Sequence, residues 1–220
     1  MFEVSGIAAG FLALSLAGGA FAHDEGDKIS QTLDLSGFDK IKISGVYELD
    51  VRVGPEFSIE LTGYEDEMER VEASVRNGEL HLGHEKGSWR TRHKDNDDHG
   101  VEAVITMPSL TGLKVSGVVD GRIAGVDVER FDIQLSGVGD IHITGECGAL
   151  DAQVSGVGDL DARELECRMA DVQVSGVGSA AVFAREEVDA NISGMGDIDV
   201  FGSPNRVNKS SGMFADITVH

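Results

Sequence analysis

The pentapeptide Ser-Gly-Val-Gly-Asp starts at Ser136 and again at Ser155, with close variants at Ser175 (Ser-Gly-Val-Gly-Ser) and Ser193 (Ser-Gly-Met-Gly-Asp). Weaker copies start at Ser116 and Ser211, so successive serines stand 20, 19, 20, 18 and 18 residues apart. No other feature constrains the fold as much, because a unit this short cannot bury its own apolar face and must stack on its neighbours. Ser36-Gly37-Phe38-Asp39 and Ser44-Gly45-Val46-Tyr47 read as relics of the same unit.

The residues before each serine fix the local structure. Ile133, Ala152, Val172 and Ala190 lie three positions before it, and Leu135, Val154, Val174 and Ile192 lie one before. Between them stand Gln134, Gln153, Gln173 and Asn191, and one step further back Asp132, Asp151, Asp171 and Asp189. Strict alternation of apolar and polar residues marks a half-buried strand. A second alternating run follows each turn: Ile141-His142-Ile143, Leu160-Asp161-Ala162, Ala180-Ala181-Val182 and Ile198-Asp199-Val200. Each unit is therefore strand, glycine turn, strand and connection. The pairs Gly137 and Gly139, Gly156 and Gly158, Gly176 and Gly178, and Gly194 and Gly196 form the turns, with Asp140, Asp159 and Asp197 closing three of them. The predicted fold is all-β, a parallel β-solenoid of coils about 19 residues long with a continuous aliphatic core and an outward amide ladder.

Residues 33–107 are less regular. Ile41 to Ile43, Leu49 to Val53 and Phe57 to Leu61 alternate, Tyr64 to Val71 reads as a helical turn or loop, and Val75 to Leu82 as a hairpin around Asn77-Gly78. Gly83 to Gly100 is a charged loop, and Val101 to Met107 resumes a strand. The regular repeats occupy residues 108–219, and the two parts form one domain, 33–219. Residues 1–22 read as a signal peptide, with an apolar run from Ile7 to Ala20 and an Ala20-Phe21-Ala22 cleavage pattern, although Glu3 stands where a basic residue is usual. The mature chain is expected to begin at His23 with an acidic segment, 23–32, to be exported, and to hold no membrane-spanning stretch.

A net charge of −21, from 39 acidic and 18 basic residues, excludes nucleic acid as a partner and disfavours anionic lipid. Cations, basic proteins and neutral glycans remain open. The 29 glycines follow no three-residue period, which excludes collagen.

The repeated Gly-x-Gly-Asp turns resemble those of the auto-transporter adhesin family with the head GIN domain. Phe38 to Tyr47 looks like that family's start, and Asn77-Gly78-Glu79-Leu80 and Met107-Pro108-Ser109-Leu110 look like its middle landmarks. The resemblance covers roughly Leu33 to Val219 and departs from the pattern at Ser179 and from Ser211 onward. It implies a right-handed β-helix, an envelope or extracellular location and an adhesion role. It supplies no catalytic residues.

Each candidate site has a plain structural alternative. Asp120, Asp140 and Asp159 should stack, as should the file Asp132, Asp151, Asp171 and Asp189. Such files could hold Ca²⁺, but carboxylates capping turn N–H groups are the expected reading, and no metal site is assigned. His81, His84, His93 and His99 lie near Asp95, Asp97 and Asp98 in spacings that match no zinc pattern, so a solvated loop is expected. No cofactor motif, phosphate loop or nucleophile elbow is found. The carboxylates and serines recur with the repeat, and an active site usually breaks one. The function read from the sequence is thus a non-enzymatic module that binds a glycan, matrix or envelope protein, the alternatives being a carbohydrate-active β-helix enzyme or a cation-binding protein. Finally, Cys147 and Cys167 each lie eight residues before a turn serine, Ser155 and Ser175. They should stack on neighbouring coils, either as a small apolar pair or, as expected of an exported chain, as a disulfide.

Overall fold

The computed structural model describes residues 28–84 and 100–220. The expected signal peptide, its cleavage point and His93, His99, Asp95, Asp97 and Asp98 lie outside the described residues. The remainder forms a parallel β-solenoid of about five turns with a less regular N-terminal region.

The strands in chain order are β1 (Lys28–Leu33), β2 (Lys40–Ser44), β3 (Val46–Val53) and β4 (Ser58–Tyr64); after the one-turn helix α1 (Glu65–Met68) come β5 (Val71–Arg76), β6 (Glu79–His84) and β7 (Val101–Met107). The repeats supply β8 (Gly112–Val115), β9 (Val118–Leu135), β10 (Ile141–Val154), β11 (Leu160–Val174) and β12 (Ala180–Ile192). The next coil holds β13 (Gly196–Phe201) and β14 (Arg206–Ser211), and β15 (Ala215–Val219) stacks on β13 as the start of a further one.

In β9 to β12 the two predicted strands of a unit and the connection between them merge into one bent strand. The chain turns at Gly125 and Gly145, both at positive φ (81° and 141°), and the register shifts at the bends, for instance between His142 and Thr144. A bulge at a bend lets the chain change direction without giving up its ladder. The glycine turns keep the coils in step: Val138, Val157, Val177 and Met195 each donate an N–H to the first glycine of the preceding turn, at 2.9 to 3.0 Å.

Stacking turns each sequence position into a file. Ile133, Ala152, Val172 and Ala190 pair across β9 to β12, as do Leu135, Val154, Val174 and Ile192, and none is more than 6% exposed. Among the described residues no polar or charged residue is buried. The core is therefore aliphatic along its length, as the alternation requires.

The N-terminal region departs from sequence order. Here β2–β3 forms a coil that stacks directly on β8–β9, with Lys40 opposite Gly112 and Val46 opposite Val118. On its other side, β2 pairs in parallel with β6 and β3 with β7. The later segment thus lies outside the earlier one. Three antiparallel strands finish this end: β5 against β6, β4 against β7, and β1 against β4. Lys28–Leu33 pairs along its whole length with β4. The hairpin at Asn77-Gly78 is present, with φ of 52° and 76°, as a two-residue turn of primed type needs. Of the two relics, Ser44-Gly45 is a true copy, since Val118 donates to the Gly45 carbonyl just as later turns do. Ser36-Gly37 lies outside the strands and stacks on no turn: a Cβ at Gly37 would meet nothing within 4 Å.

At the far end, Lys209 and Ser211 take the register positions held by Ala190 and Ile192 one coil earlier. The Lys209 ammonium donates to the carbonyl of Ile217 at 3.2 Å across the open end. A polar terminal coil of this kind caps a stack of repeats.

A Cβ on Gly158 would run into the backbone of Gly139 in the coil before, and its φ of 142° is closed to branched side chains. Gly158→Val should therefore cost at least about 4 kcal/mol or abolish folding. Gln153 is exposed on a strand, so Gln153→Thr should stay within about 0.5 kcal/mol. Chemical denaturation of both variants checks the pair, and equal losses would contradict the corner assignment.

Candidate functional site

The turn aspartates point along the stack. The Asp120 carboxylate accepts the N–H of Asp140 (3.2 Å), Asp140 that of Asp159 (3.0 Å), and Asp159 that of Ser179 (2.8 Å). Each carboxylate staples its own turn to the next coil, which satisfies a backbone donor and accounts for the acidic residue at this place. No group of three or more metal-ligating side chains that could hold an ion is found among the described residues.

The two cysteines are joined. Cys147 and Cys167 pair in register on β10 and β11 with Cα atoms 4.4 Å apart. Their bond crosses from one coil to the next.

The outward sheet face that precedes the turns carries two polar files. One file runs Glu79, Lys40, Gly112, Asp132, Asp151, Asp171 and Asp189. Beside it runs another: His81, Lys42, Lys114, Gln134, Gln153, Gln173 and Asn191. The amides align as expected, but their hydrogen bonds do not run from amide to amide. Gln153 donates to Asp151 (3.3 Å) and Gln173 to Asp171 (3.4 Å), each within its own coil. An aspartate two residues away on the same face is a stronger acceptor than a neutral amide.

The repeat is broken where the N-terminal coils meet the regular ones. Gly112 contributes no side chain to the first file, and this leaves a depression of about 260 Å³ lined chiefly by Lys40, Glu79, Lys114, Asp132, Gln134 and Asp151. Glu79 is held from two sides, by Lys114 Nζ at 3.3 Å and His81 Nε2 at 3.1 Å. A second depression of about 280 Å³ continues along the same face over Ala149, between Arg130, Asp171 and Glu187. Asp151 lines both, so the two adjoin there in a groove along the face. Sequence reasoning found the aspartate and amide files but missed this break. Lys40, Glu79 and Lys114 come together only through a stacking order that the sequence does not follow.

Of the candidate histidines, His81 and His84 are among the described residues. His81 belongs to the polar face. His84 lies against Gly45 and beside the Tyr47 ring, with ring centroids 5.3 Å apart. Burial, and secondarily the cation of Arg70, holds its imidazole below the usual histidine range. The Tyr47 hydroxyl donates to the carbonyl of Gly83 (3.2 Å), and burial, followed by the nearby Glu67 charge, pushes it above the usual tyrosine range.

Known proteins give this geometry a context. The family described as "Putative auto-transporter adhesin, head GIN domain" matches residues 37–204. The chain belongs to that family. A similar fold is seen in the crystal structure of a "putative adhesin" from Bacteroides fragilis, 23% identical, with a TM-score of 0.74 over 88% of this chain and 97% of that one. A "putative adhesin" from Parabacteroides distasonis is 15% identical, with a TM-score of 0.50 over 88% of this chain and 98% of the other. At these identities the likeness is one of fold. No curated protein matches this chain. Among the described residues no helix of this head GIN domain is long and apolar enough to cross a membrane.

Two outcomes follow from this geometry. Unreduced, denatured protein should show no free thiol, and reduction should cost about 3 kcal/mol for a loop of this length; two titratable thiols would contradict the bond. His84 should make stability fall on acidification. Its folded state resists protonation while the unfolded chain takes up a proton as the pH drops through about 6.5. Melting curves at about pH 7 and about pH 5 should show a smaller loss for His84→Phe than for the unchanged protein.

Proposed function

We propose that this protein is an exported, non-enzymatic binding module whose polar sheet face takes a neutral glycan chain of the cell envelope or its surroundings. The observation that carries the reading is the groove through Asp151. It crosses several coils and offers the carboxylates of Asp132, Asp151 and Asp171, the Gln134 amide and the donors of Lys40, Lys114 and Arg130. Hydroxyl groups both donate and accept, so a polyhydroxylated chain can satisfy such a mixed array. An acidic glycan would face the aspartate file and a net charge of −21. Membership in an adhesin-like family supports a binding role and a location outside the cytoplasm. The apolar run ending in Ala20-Phe21-Ala22 and the disulfide support export.

A glycan array followed by calorimetry on the best neutral oligosaccharide tests the reading. Asp151→Ala combined with Lys114→Ala should weaken binding at least tenfold while leaving the melting temperature within a few degrees, since both side chains lie on the face and not in the core. Unchanged affinity would move the site elsewhere. Shortened or unsaturated products after incubation would favour the carbohydrate-active enzyme.

A further inference from the structure

Beside the polar face, at the corner of the solenoid, runs a file of a different kind: Val118, Val138, Val157, Val177 and Met195, each 45% to 53% exposed. The isolated bridges Val118–Val138, Val138–Val157, Val157–Val177 and Val177–Met195 hold the file in line. Phe214, 74% exposed, continues it, because Gly196 donates to the Phe214 carbonyl just as Gly178 does to that of Met195. Six coils in succession thus present an apolar side chain to solvent at one position, where the neighbouring outward files are polar. Single exposed apolar residues are ordinary, but a contiguous apolar ridge is characteristic of an interaction surface.

The flanks of the ridge name its partner. Two residues beyond the ridge positions stand Asp120, Asp140, Asp159, Asp197 and Asp216, a serine replacing the acid only at Ser179. The stapled carboxylates of Asp120, Asp140 and Asp159 remain exposed. On the other flank Ser116, Ser136 and Ser155 turn their hydroxyls back to carbonyls of the preceding coil. The ridge is therefore apolar in the middle, acidic along one side and neutral along the other. A second copy of this chain would bring the same net charge of −21, and an anionic membrane would be repelled likewise.

We propose that this ridge docks a cationic amphipathic α-helix of a partner protein. An apolar stripe on such a helix repeats every turn, at about 5.4 Å, close to the coil rise of about 4.8 Å. Its flanking lysines or arginines would lie along the aspartate file.

The probe is a synthetic amphipathic helix with a leucine stripe flanked by lysines, with two controls: the same lysines around a serine stripe, and the same leucines flanked by glutamates. The leucine–lysine peptide should bind the full protein, lose affinity as salt rises and bind at least tenfold more tightly than either control. Val138→Ser with Val157→Ser and Val177→Ser should lower that affinity at least tenfold without altering the Asp151-dependent glycan binding. If the triple variant folds poorly, hydrogen exchange on the unchanged protein replaces it, with peptide-induced protection expected at 136–140 and 155–159. Equal binding of the serine-stripe control, or protection elsewhere, overturns the proposal. So does ridge-dependent self-association or vesicle binding in the absence of peptide binding.

Discussion

The hydrogen bonds between successive glycine turns hold the whole structure in register. The bond from the Val157 N–H to the Gly137 carbonyl and its equivalents fix which residue stacks on which. They need glycine on both coils, because a Cβ at Gly156 would occupy the place of the Gly137 carbonyl oxygen. A slip of one residue would turn every aliphatic side chain of β9 to β12 outward. The repeats differ in length, and the turns do not absorb the difference. It is taken up at the bends, where the register shifts between Ala162 and Glu166 and between Cys167 and Met169. The chain thus has rigid corners and adjustable bends, and the cysteine pair, the aspartate staples and the polar files all inherit their alignment from the corners.

This division explains what the sequence made legible. Between Ser116 and Ser193 the turn motif and the alternation of two repeat together, so stacking order, inward residues and the Cys147–Cys167 contact follow from counting. Before Ser116 counting fails, because β6 and β7 stack outside β2 and β3 although they come later in the chain. Ser44-Gly45 could be recognised as a turn, but nothing local shows that its upper neighbour is Ser116 and its lower neighbour Gly83. The groove was hidden for the same reason: Glu79, Lys40 and Gly112 become adjacent only after that rearrangement. The amide ladder was right in register and wrong in bonding, since periodicity gives the file and not the competition between acceptors within it.

Translation along one axis gives three files three different roles. The turn aspartates each give one carboxylate oxygen to a backbone N–H of the next coil and keep the other, with the charge, exposed. The aspartates of the sheet face accept only from glutamines of their own coil at Gln153 and Gln173, and so keep acceptor capacity for a ligand. The ridge valines neither support the core nor satisfy a donor with their side chains. A file costs nothing extra to repeat, so a weak contact at one coil recurs at the next, and the sum can be strong even where each contact is not.

The ends of the stack decide where such contacts can be made. An open parallel sheet would offer strand edges to other copies, with the risk of endless addition. At the N-terminal end the antiparallel strands β1, β4 and β5 cover the first coil, and β1 is itself polar, Lys28-Ile29-Ser30-Gln31-Thr32. At the other end β14 is exposed throughout, Arg206-Val207-Asn208-Lys209-Ser210-Ser211, and the Lys209 ammonium lies where the core would otherwise continue. A new coil stacked there would have to strip water from that charge and leave it only the Ile217 carbonyl, which costs several kcal/mol. Axial growth on β14 is therefore opposed by desolvation and not by shape. The lateral files, the polar groove and the apolar ridge, are left as the surfaces that this fold offers to other molecules.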